Sequence, residues 1–316
     1  MLTRFFKNSN TLSVILITLA AIAVFVFSNF YLSTFTGIRG NNTITALLCF
    51  TASIFLLNKI CLRNNPKIEG NLVGFTLVLI CLSIPVVLTE GKIIIAVFFI
   101  LLAMRRMLSI QNQLQVSRKI FDSYIFLSIA VFLFPPTLFF LPFPILCVLY
   151  YTPLDFRYFL IPIPAILSVW MSILLYHLAL KNHFPSLLDL FHFNLFPSIE
   201  KNEISALAGP LLFVLLFLGY SLWAQLSPDT RETVSEKKWK SVQFSLGIMA
   251  VFTVYFSGPY TSSFSTAIYF IFISVVPTIG GYFARLKQSS VKEILFLIFL
   301  IGCLFFSLNP IFHFTF

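Results

Sequence analysis

Apolar runs of membrane length recur along the whole chain, separated by short polar intervals. They fall at Thr11 to Leu32, Thr43 to Cys61, Asn71 to Leu88 and Ile93 to Met104. Beyond a polar interval from Met104 to Tyr124, further runs fall at Tyr124 to Phe134, Leu138 to Tyr151, Tyr158 to Leu180 and Ser205 to Gln225. The last three are Ser241 to Phe256, Phe264 to Ala284 and Ile294 to Leu308. In lipid a spanning segment must satisfy its own backbone, which leaves helices or a closed barrel. These runs are continuous, as in Leu12 to Phe27, where a barrel strand would alternate apolar and polar residues. The pattern predicts an all-α, polytopic integral membrane helical bundle of about eleven transmembrane segments, a single domain over residues 1–316.

Composition supports this reading. A mean hydropathy of +0.96 with 10% charged residues excludes a water-soluble globule, which carries roughly a quarter of its residues charged. The 40 Phe are expected to fill lipid-facing positions, as ordinary apolar membrane residues do. The five cysteines show no CxxC pair and read as small buried hydrophobes, so neither a disulfide, a metal site nor a cofactor is assigned.

Charge then orients the chain. With a cytoplasmic N-terminus and an uncleaved first helix, 17 of the 21 Lys and Arg fall on the inner side and only Arg39, Lys92, Lys181 and Lys201 outside. Basic residues resist translocation, so the C-terminus is expected in the periplasm. The net charge of +10 points to anionic lipid headgroups as partners; no nucleic acid is implied.

Three intervals carry the candidate chemistry. In Met104 to Tyr124, Met107, Ile110, Leu114 and Phe121 share one face at helical spacing. This predicts an amphipathic helix over 105–121 in the inner headgroup layer, with Arg105 and Arg106 as phosphate or headgroup ligands. The next stretch, 124–164, holds seven of the sixteen prolines. Proline breaks helices, so this region is expected to be Pro-broken or re-entrant, lining a cavity or packing as a kinked helix. The outer loop 181–204 reads KNHFPSLLDLFHFNLFPSIEKNEI, and Asp189 and His192 share a helical face there. With Glu90 they are the candidate acid/base residues of the outer face; His183, Glu200 and Glu203 complete its titratable set. An interfacial aromatic helix explains the same loop equally well. The inner loop Ser227 to Lys240 reads as a solvated loop with Trp239 as an interfacial anchor. No charge sits mid-span and no Walker motif occurs, which argues against an ion-coupled pump or an ATPase.

The run LLAMRRMLSIQNQLQVSRKIFDSYIFLSIAVFLFPPTLFFLPFPILCVLY, Leu101 to Tyr150, resembles an uncharacterised family of Bacteroidetes inner-membrane proteins. The shared features are the Arg105-Arg106 pair closing a short helix, a Ser-Ile-Gln stretch and Lys119 to Asp122 opening the next helix. This resemblance implies a bacterial inner-membrane location. The basic inner loop, the Pro-interrupted helix pair and the following Asp155 and Arg157 are also similar to GT-C glycosyltransferases. That similarity implies handling of polyprenyl phosphate or a lipid-linked saccharide, with Arg39 as a further phosphate ligand. Such enzymes carry a catalytic acid in the first outer loop, whereas STFTGIRGNN here has none. The rival expectation is a non-enzymatic accessory subunit whose partners are other envelope membrane proteins.

Overall fold

The computed structural model describes residues 6, 11–35, 44–65, 68, 70–153, 155–181, 201–226, 234–261, 264–285 and 289–312. Among these the architecture is helical, with no strand. The first half comprises α1 (Thr11–Phe35), α2 (Ile44–Asn64), α3 (Leu72–Ser83), α4 (Gly91–Leu108), α5 (Val116–Leu133) and α6 (Phe143–Tyr151). The second comprises α7 (Arg157–Leu160), α8 (Pro162–Lys181), α9 (Lys201–Leu226), α10 (Val234–Tyr255), α11 (Phe264–Ala267), α12 (Tyr269–Arg285) and α13 (Ser289–Phe312). Among the described residues, six stretches are long and apolar enough to cross a membrane: Thr11–Phe30, Ile44–Asn64, Gly91–Asn112, Arg157–Tyr176, Ser265–Ala284 and Ser290–Ser307. Leu72–Ser83, Pro135–Tyr151 and Leu207–Trp223 are shorter apolar helices. The chain is thus built as a multi-pass membrane protein, with a helical segment in each of the eleven apolar intervals and six meeting the length of a full crossing.

Two helices form the centre. α3 is apolar all round and buried except at Leu82, and α12 lies in a window 89% buried. They pack on each other, and α3 also meets α1, α2 and α13. The approach is close: a Cβ on Gly280 of α12 would stand 2.6 Å from Thr76 Oγ1 and 2.9 Å from the Val73 Cα of α3. Lipid supplies no hydrophobic drive between helices, so intimate backbone contact through small residues is what holds them. On the periphery, α1, α8, α9 and α13 leave Leu19, Phe30, Leu167, Leu175, Leu215 and Ile301 exposed, an apolar surface suited to lipid.

Buried polar side chains link the first three helices. Asn58 Nδ2 donates to Asn71 Oδ1 at 2.9 Å, and Asn71 Nδ2 to Ser13 Oγ at 3.0 Å, tying α2, α3 and α1. The turn that presents Asn71 needs Gly70, whose φ of 73° lies in the left-handed region.

Several sequence expectations are corrected here. Residues 105–121 do not form one amphipathic helix. α4 ends at Leu108, a 3₁₀ turn covers Ser109–Asn112, and Gln113 and Gln115 adopt φ of 51° and 50° before α5 begins. The left-handed pair reverses the chain, and α4 and α5 pack together. Met107 and Ile110 are buried while Leu114 is 69% exposed, so the supposed single face is divided. The stretch around Pro135 is Pro-broken as expected and takes the packed alternative, not the cavity: Phe134 stacks on Phe270 at 5.4 Å and Phe139 on Phe256 at 4.9 Å, with Pro136 and Pro144 buried. What opens beside it is a shallow apolar groove lined by Ile120, Ile145, Val148, Tyr158 and Phe159. Trp239 is buried rather than interfacial, and Phe50, Phe143, Phe283, Phe296 and Phe299 lie inside the bundle rather than against lipid. Rings fill the volume between helices as efficiently as they face acyl chains.

Candidate functional site

The polar ends of several helices converge at one end of the bundle. The C-terminus of α2 brings Lys59, Arg63 and Asn64; the C-terminus of α4 and the turn after it bring Arg105, Leu108 and Ser109. With Ile60 these residues line a cleft of about 30 Å³, room for one or two waters. α2 and α4 pack against each other along their lengths, and this fixes the two basic ends side by side.

Internal hydrogen bonds shape the cleft. Asn64 is buried, donates to the Ile60 carbonyl at 2.8 Å and accepts from Gln111 Nε2 at 3.0 Å. Lys119 Nζ donates to the Ser109 carbonyl at 2.7 Å, and Ser109 Oγ donates to the Arg106 carbonyl at 2.7 Å. Burial and then the neighbouring Arg63 and Arg106 charges push the Lys119 ammonium below its ordinary pKa, as expected for a cation placed among cations. Arg106 turns away from the cleft, its Nε 3.6 Å from Asp122 Oδ2. This exposed pair adds little to stability. The same end of the molecule receives α6 and α10, where Lys238 Nζ lies 5.5 Å above the Tyr151 ring.

The residues singled out in the sequence do not form one site. Arg105 lines the cleft and Arg106 adjoins it on another face. Glu90 precedes the first residue of α4, at its opposite end, roughly 22 Å from Arg105 at 1.5 Å per residue. It is half-buried and in extended conformation, with φ −103° and ψ 104°. Arg39, Asp189 and His192 lie outside the described residues, as do His183 and Glu200, and so does the side chain of Glu203. Among the described residues no three His, Cys, Asp or Glu side chains gather as metal ligands.

Sequence reasoning missed Lys59 and Arg63 as partners of Arg105. One signal was present: Lys59 and Arg63 stand four apart, on one helical face. Their meeting with Arg105 is tertiary and has no local signature. The fold and cleft together define a multi-pass helical membrane protein with a cleft lined by basic side chains at one end. No family model matches the chain, and no curated protein or solved structure is significantly similar to it.

Proposed function

We propose that this is an integral inner-membrane protein of the cell envelope that handles polyprenyl phosphate or a lipid-linked saccharide, gripping the phosphate in the cleft at its cytoplasmic end. The observation that carries the reading is the convergence of Lys59, Arg63 and Arg105 on one polar cleft at a helix end, where a headgroup arrives from the bilayer. Arginine's planar fork suits phosphate oxygens. The cytoplasmic assignment follows from the excess of basic residues in the loops that meet there. The proposal is one of binding: Glu90, at the far end of α4, is too distant to act on a phosphate held at Arg105.

A second reading, an accessory subunit of an envelope complex, draws on α8. Only 11% of the Arg157–Tyr176 window is buried within the chain, which leaves most of that helix open to lipid or to another membrane protein. Native mass spectrometry of the gently extracted protein separates the two. A bound polyprenyl phosphate or lipid-linked sugar is the expected result. A stoichiometric protein partner with only bulk phospholipid would overturn the proposal in favour of the subunit.

A further inference from the structure

Resting on the phosphate-binding reading, we infer that the cleft selects a terminal phosphate monoester over a phosphodiester headgroup, and so takes the bare carrier phosphate in preference to one already esterified to a sugar. Among the described residues, Lys59, Arg63 and Arg105 make no ion pair, and Asp122 is engaged by Arg106. All three cations are exposed, at the rim of the cleft, and available to a ligand.

The acceptors that would compete with an anion are turned inward. The carbonyls of Ile60, Arg106 and Ser109 receive Asn64, Ser109 Oγ and Lys119, and Asn64 Oδ1 receives Gln111. Of the lining residues, Ile60 and Ser109 thus have their carbonyls, and Asn64 its side-chain oxygen, already bonded to internal donors.

Charge balance then discriminates between ligands. Three cations face the C-terminal ends of α2 and α4, each equivalent to roughly −0.5 charge, which leaves a surplus of about +2. A phosphate monoester carries about −1.5 to −2 at neutral pH and three terminal oxygens. A diester carries one charge, so it matches only about half of the surplus that a monoester neutralises at the exposed rim of the cleft.

The test is competition for the full-length protein in nanodiscs, between phosphatidic acid as the monoester and phosphatidylglycerol with the same acyl chains as the diester, read by native mass spectrometry. Phosphatidic acid is expected to be retained about fivefold or more over phosphatidylglycerol, the factor that one additional charge contributes. Arg63→Gln with Arg105→Gln is expected to abolish the preference, and Lys92→Gln, at the far end of α4, to preserve it. Inorganic phosphate is added as a separate arm. Failure to displace phosphatidic acid assigns the site to a lipid, while displacement at equal concentration keeps the monoester chemistry and assigns it to the free anion. Equal retention of the two lipids overturns the selectivity and leaves the phosphate-binding reading standing. Retention of neither overturns both.

Discussion

Gly280→Leu is expected to cost about 3 kcal/mol or more, at the upper end of what overpacking a core does. Even the first carbon of the new side chain would stand 2.9 Å from the Val73 backbone, which cannot rotate aside as a side chain does. α3 is held on its other faces by α1, α2 and α13, so it has nowhere to retreat. Gly281 adds a second tight contact, with Ile68 Cδ1 3.1 Å from its Cβ position. The variant should lose on the order of 10 °C in apparent melting temperature, measured in one detergent by scanning fluorimetry. Gly219→Leu is the control. No atom lies within 4 Å of a Cβ there, and that variant should melt within a degree or two of the parent. Equal melting of the Gly280 variant and the parent would show that α3 and α12 do not meet as described.

Reversing two of the cleft cations is expected to have the largest effect on binding. Arg63→Glu with Arg105→Glu exchanges two attractive charges for two repulsive ones. At about 1 kcal/mol per charge near a membrane surface, the change amounts to roughly 4 kcal/mol. Retention of anionic lipid should fall by two to three orders of magnitude. Neither arginine makes an ion pair among the described residues, so the variant should remain monodisperse on size exclusion. Lys92→Glu makes one such reversal, half the charge change, at the opposite end of α4 and should leave lipid retention unaltered. A loss of similar size in that control would point to non-specific electrostatics across the whole surface.

The helices were legible because their signal is local. Continuous apolar runs set α1, α2, α12 and α13, and prolines mark the breaks, with Pro135 opening a 3₁₀ turn and Pro144 lying in the first turn of α6. The chain reversal at Gln113 and Gln115 was illegible. Glutamine seldom takes a left-handed backbone, and Met107, Ile110, Leu114 and Phe121 mimic a continuous helical face. Trp239 looked interfacial because three lysines flank it, yet only its neighbours in space decide its burial. The cleft was half legible. Arg105 and Arg106 stood out as a pair, but packing separates them, giving Arg105 to the cleft and Arg106 to Asp122. The partners of Arg105 come from α2, more than forty residues earlier, and no sequence period connects them.

The most direct measurement replaces Ser109, at the lining of the cleft, with a photo-crosslinking amino acid in the full-length protein expressed in its own membrane. Irradiation followed by mass analysis of the adduct identifies what occupies the cleft without extraction. A crosslink to a lipid bearing a terminal phosphate, lost on Arg63→Gln with Arg105→Gln, is the expected result. A crosslink formed only to another polypeptide, unchanged by those substitutions, would contradict it.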